Sequence, residues 1–291
     1  MTTLARPNLG TPGPAPLRLI RSEFVKVRTT NAWWLFILGA LATQALAFLI
    51  NALNAHFFLS QPTPPGLTAE QAAQIDANRD VVLQAARLYT SGQFFGVMFV
   101  MLFGIVLVTN EFYHQTATIT FLTTPRRTAV ILAKLVAALL FGAGLWAITT
   151  GLNLPATALF LRAEDFPSQL GAWPVQRAIL LNLLAYVIWG ILGVGIGVLI
   201  RSQIAATIIA VLAYTVGTAV VQFLTVLADW LNQEWIADLQ WGVPSIASML
   251  MVSGGQTPGM PPWWVGALVL LGYAVVAGVI GILITRRRDI A

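Results

Sequence analysis

The chain of 291 residues contains no cysteine, so it forms no disulfide and offers no thiolate to a metal. Histidine is nearly as scarce: His56 and His114 are the only two, both in loops and without an evident partner. An HExxH zinc site is therefore excluded, and a serine–histidine pair is not supported. No GxxxxGK[ST] motif occurs, so the chain cannot itself cradle the phosphates of ATP. Charge is sparse, at 9% of residues, whereas 57% are hydrophobic and the mean hydropathy is +0.78. That composition lies outside the range of soluble domains and predicts an integral membrane protein.

A bilayer core of roughly 30 Å needs about 20 apolar residues in helix. Six such runs are present, approximately Trp33 to Leu53, Gly92 to Thr109, Ala129 to Thr150, Ile179 to Ile200, Ile204 to Leu227 and Trp264 to Thr285. The expected fold is an all-α bundle of six transmembrane helices, since barrel strands would be shorter and alternate in polarity. Lys134 is the one charge within these runs, close enough to an end for its stem to snorkel. No carboxylate or histidine occupies the centre of a run, which argues against an ion-coupled carrier. No internal repeat is evident, so an inverted-repeat transporter is not supported either.

Loop charge sets the expected orientation. With both termini inside, the cytoplasmic segments hold 12 of the 16 basic residues against three acids, and the outer segments hold four against eight. The basic balance thus reflects topology in a cell membrane, and no nucleic-acid partner is implied. The sequence predicts a disordered Pro/Gly-rich tail over 1–16 and a single six-helix domain over 17–291, with no cleavable signal peptide. Within that domain, Leu17, Ile20, Phe24 and Val27 recur at spacings of three and four, with Arg18, Arg21, Lys26 and Arg28 between them. This pattern predicts a helix over 17–30 lying on the inner surface of the bilayer.

The outer segments are 54–91 and 228–263. In the first, Thr68 and Gln71 have capping-box spacing and predict a helix that feeds directly into the second span, as a gate or as scaffold. In the second, VPSIASMLMV is too short to span and predicts a re-entrant or interfacial helix, among tryptophans at head-group depth. Pro155 predicts a kink or break in the long third run. Gln44, Asn51, Asn153, Asn182 and Gln222 are suited to interhelical hydrogen bonding, and some could line a conduit. Gly193 and Gly197 have GxxxG spacing, which suits close packing within the chain or a dimer contact.

The segment 110–127, NEFYHQTATITFLTTPRR, carries more than a turn requires. It sets Glu111 at a membrane exit, then aromatics, then alternating Thr and Ile, then Arg126 and Arg127. A short helix presenting Phe112, Ile119 and Leu122 to a groove would follow the helix-in-groove mode.

The run through Glu111, Thr116, Pro125, Arg127 and Lys134 resembles the E-x-x-x-G-T motif, followed by proline, arginine and lysine, of permease subunits of the type-2 exporter class of ABC transporters. SEFVKVRTT is similar to that family's S-E-x-x-K-x-R entry. Gln115 stands where the family usually has glycine, and one extra residue separates Thr116 from Pro125. The resemblance implies a non-catalytic permease that pairs with a second copy, or with a related permease, and docks two cytosolic ATPase subunits holding ATP and magnesium. Segment 110–127 would then be the coupling element, through Glu111, Phe112, Thr116, Ile119, Phe121, Arg126 and Arg127. Arg21, Glu23, Lys26 and Arg28 of the interface helix would flank it. No metal or cofactor is expected in the chain itself. The competing reading is a membrane anchor or sensor for a cytosolic partner, which would use the same loop but need no pathway.

Overall fold

The computed structural model describes residues 16–29, 32–60, 66, 68–115, 127–231, 235, 238–253 and 260–287. The expected tail, and Thr116, Ile119, Phe121, Leu122 and Arg126 of the expected coupling element, lie outside the described residues. The described chain is all helical: α1 (Pro16–Thr29), α2 (Ala32–Ser60), α3 (Ala69–Asn78), α4 (Val81–Tyr89), α5 (Gln93–Tyr113), α6 (Arg127–Ala163), α7 (Trp173–Leu199), α8 (Gln203–Trp230), a 3-10 turn at Leu239–Gly242, α9 (Pro244–Val252) and α10 (Trp263–Arg287). Six helical stretches are long and apolar enough to cross a membrane, one of them Val81–Tyr113, which joins α4 to α5.

Helices α5 and α7 form the centre. Lipid tails are as apolar as leucine, so helices in a bilayer associate by close approach, which small residues allow. A Cβ on Gly193 would collide with the Met101 carbonyl, and one on Gly104 would lie 2.8 Å from the Gly190 oxygen. Gly197 approaches α5 in the same way, at Ile105. The glycine face of α7 is thus occupied by α5 of the same chain. Val97, Val100, Met101 and Ile105 meet Tyr186, Trp189 and Leu192 along this seam. In contrast, α2, α8 and α10 turn rows of large apolar side chains outward, such as Leu35, Leu38, Leu46 and Leu49 on α2. Lipid is the medium in which such rows are stable.

Three local expectations are narrowed or revised. The helix before the second span does not run straight into it: Asp80 accepts from Val82 N–H at 2.8 Å and starts a new helix, α4. α4 then ends at a turn, Thr90 to Gly92, where Gly92 has φ 83° and a Cβ would lie 2.8 Å from Gln44 Cα. Helix α6 runs through Pro155 without a break. Its flanks are fixed, since Asn153 donates to the Tyr89 and Ser91 carbonyls and Leu161 is fully buried, and this packing outweighs the lost backbone bond. The short apolar helix α9 is wedged between α7 and α10 rather than lying on a surface, with Ile246, Ala247, Leu250, Met251 and Val252 buried.

Candidate functional site

Among the described residues three charged side chains are buried, Glu23, Glu111 and Lys134, and all three meet at one point. The site is built from three helices. On α1, Glu23 and Lys26 are three residues apart and share a face; on α5, Leu107 and Glu111 are four apart and do the same. Lys134 projects from the first turns of α6 into the gap. Its Nζ donates to Glu23 Oε2 at 2.8 Å and to the Leu107 carbonyl at 3.0 Å, and stands 2.9 Å from Glu111 Oε1. Lys26 Nζ completes the square, donating to Glu23 Oε1 at 2.8 Å and to Glu111 Oε1 at 2.6 Å.

Two carboxylates and two ammonium groups leave no net charge. Burying one ion costs several kcal/mol, which only good geometry and a full set of partners can offset. The square supplies both, and it ties α1 to α5 and α6 at the end where α5 stops and α6 begins. Burial alone would depress the Lys26 ammonium, but hydrogen bonds and charge from Glu111 and Glu23 outweigh it and hold its pKa above the ordinary lysine value. Lys134 does not snorkel: at 1% exposure it is among the most buried side chains of the molecule. Its buried partners make the interior site better than the interface.

Around the square, Phe112 is half-buried against the cluster of Phe103, Leu107, Val108 and Ile131. The Arg201 guanidinium, from the α7–α8 connection, lies 5.3 Å from its ring centroid. Only part of this ring is left for a partner groove. Helix α5 ends with the His114 N–H bonded to the Asn110 carbonyl, and Gln115 follows at φ 55°, the left-handed conformation that favours glycine. Arg21 and Arg28 are exposed, and Arg127 opens α6.

The other residues singled out from the sequence lie elsewhere. Gln44 donates to the Thr149 carbonyl and to Asn153 Oδ1, both at 2.9 Å, and Asn51 donates to Ser91 Oγ at 2.9 Å, so these amides join α2, α6 and the α4–α5 turn. Asn182 is buried in α7, and its Oδ1 accepts no hydrogen bond among the described residues. Gln222 is exposed on α8 beside a cavity at the opposite end from the charged square. His56 does have a partner, since its Nδ1 lies 2.7 Å from Glu164 Oε1. Sequence reasoning named all four members of the square without joining them. The signal it could have used is that two acids and two lysines fall at ends of helices predicted to share one side of the membrane.

Over residues 35–291 the chain matches the model of a family described as proteins of unknown function, DUF2705, and it belongs to that family. No curated protein matches it.

Proposed function

We propose that this member of the DUF2705 family is the membrane-spanning permease subunit of an ATP-driven exporter, working as a dimer and driven by two cytosolic ATPase subunits. The observation that carries the reading is the buried square of Glu23, Lys26, Glu111 and Lys134. It fastens α1 to the end of α5 and the start of α6, on either side of the segment expected to meet an ATPase. Two further features support it. Ser22, Glu23, Lys26 and Arg28, together with Glu111 and Lys134, are among the residues that carry the resemblance to type-2 ABC permeases, and Gln115 adopts the backbone conformation suited to the glycine usual there. The excess of basic residues in the segments at this end supports a cytoplasmic position for it, together with both termini, and a place for α1 on the inner membrane surface.

In this mechanism the chain contributes mechanics and the partner contributes chemistry. ATP closes the partner pair, which pushes on 110–127. Because the square makes α1, α5 and α6 one unit, the push passes into α5, the helix most enclosed by its neighbours. α5 and α7 then shift against the lipid-facing helices between inward- and outward-facing arrangements. ATP must favour one of these states for the cycle to do work.

The test is to isolate the chain with its partners from native membranes and measure ATP hydrolysis, then repeat with Ile119→Asp. The expected result is loss of both co-purification and stimulated hydrolysis, with the variant still folded. Unchanged assembly and hydrolysis would remove the coupling claim, and transport by the purified chain alone in liposomes would remove the whole scheme. A stable complex without any cargo-dependent turnover would favour the anchor or sensor reading.

A further inference from the structure

At the end of the bundle opposite the charged square, α2, α4, the start of α5, α8 and α9 enclose a cavity of about 650 Å³. That is the size of a small-molecule site. Its chemistry is the reverse of the square's. Among the described residues, Arg87 is the only ionisable side chain on its wall. Nη1 of Arg87 donates to the neutral Asn78 Oδ1 at 3.0 Å, and no carboxylate pairs with this guanidinium among the described residues. Gln222 and Gln240, also on the wall, make no side-chain hydrogen bond among the described residues. The rest of the wall is largely apolar and aromatic, with Phe58, Phe94, Phe95 and Trp241 prominent.

The floor is preformed. Gln93 Nε2 donates to Ser248 Oγ at 2.9 Å and to the Ser248 carbonyl at 3.1 Å, and Asn51 holds Ser91. Gly92, in its left-handed conformation against Gln44, sets the turn between α4, which carries Arg87, and α5. A site whose walls are already ordered spends little of its binding energy on ordering them. Two of the walls belong to α2 and α8, which also turn rows of large apolar side chains outward.

We propose that this cavity binds an amphiphile with an anionic phosphate-type head group and an apolar tail. The head meets Arg87 through charge-assisted hydrogen bonds, the free amides supplement it, and the tail lies along the aromatic wall. Such a molecule supplies the one charge the wall lacks and covers the apolar area that a free phosphate would leave wet. The assignment stands whether or not the chain works with an ATPase.

The experiment is native mass spectrometry of the full chain in an uncharged maltoside detergent, titrated with lysophosphatidylglycerol, with a monoacylglycerol of the same chain length, and with inorganic phosphate. The lysophospholipid is expected to bind one per chain, about tenfold or more tighter than the monoacylglycerol. Arg87→Gln should erase that preference and Arg87→Lys should keep most of it. Gln222→Trp, which fills the cavity without touching the cation, should weaken the lysophospholipid while leaving the thermal midpoint unchanged. Equal binding of the two amphiphiles, or an Arg87→Gln variant that binds like the parent, overturns the proposal. So does competition by inorganic phosphate at the concentration of the amphiphile. Repeating the titration in nanodiscs with diacyl phosphatidylglycerol separates the sources: displacement by the diacyl form identifies a bilayer lipid, and indifference to it a free amphiphile, and either result upholds the site.

Discussion

At one end of the molecule four full charges are packed together and cancel; at the other the Arg87 guanidinium and several amides line a cavity. The charged square turns its polarity inward, because Lys134 is 1% exposed and is held by Glu23, Glu111 and the Leu107 carbonyl. The cavity has unspent capacity, because Arg87 leans on a neutral asparagine and Gln222 makes no side-chain hydrogen bond among the described residues. The contrast separates two uses of polarity in an apolar fold. Groups that satisfy one another lock helices, and groups left incompletely satisfied beside a void are where a ligand gains most.

The sharpest way to break the comparison is Lys134→Met. It leaves Glu23 and Glu111 buried with one lysine between them, and the cost expected for breaking a buried pair is about 3–5 kcal/mol, read as a fall in the unfolding midpoint in detergent. An unchanged midpoint would mean that water reaches the square. Next in size is Gly193→Val, expected to cost about 1–3 kcal/mol because the Met101 backbone cannot retreat. Gly144→Ala, where a Cβ would meet open space, is the control and should lose nothing.

Lys26→Met should be milder, about 1 kcal/mol or less, because the Lys26 side chain is 40% exposed and solvent screens its pairs. Its effect should be local. With no native cysteine, Val27→Cys gives a single reporter thiol on α1, and it should be labelled faster in the Lys26→Met background. The smallest effect is that of pH. Because the folded-state pKa of Lys26 is raised, its stabilisation is fully present below the ordinary value of 10.5 and is lost as pH rises through the higher folded value. Labelling of the same thiol, corrected against a free thiol, should therefore stay flat from neutral pH to about 9 and rise only in strong alkali. A rise near neutral pH would show that another group controls α1.

Much of the architecture was legible because the bilayer imposes a length and a polarity. All six apolar runs became helices, the fourth and fifth separated only by residues 200–202, between α7 ending at Leu199 and α8 starting at Gln203. What escaped were features fixed by contact. Asp80 falls within a helix expected to run straight into the second span until its side chain is seen capping α4. Pro155 reads as a kink or a break, and the break is ruled out only when α6 is seen to continue through it, with Asn153 and Leu161 clamping its flanks. Lys134 reads as a snorkelling lysine until Glu23, 111 residues away in sequence, is found beside it. Of the candidate site, Glu111 and the α1 residues were named from the sequence, whereas the cavity around Arg87 was not.

Hydropathy and the distribution of lysine and arginine sufficed, in the sequence alone, to determine that this is a helical protein with six segments fit to span a membrane, because transfer into hydrocarbon acts on each segment independently. Tertiary structure decided which polar groups cancel and which remain open. That choice depends on contacts a few ångströms long between helices distant in sequence, and no property of one segment contains them.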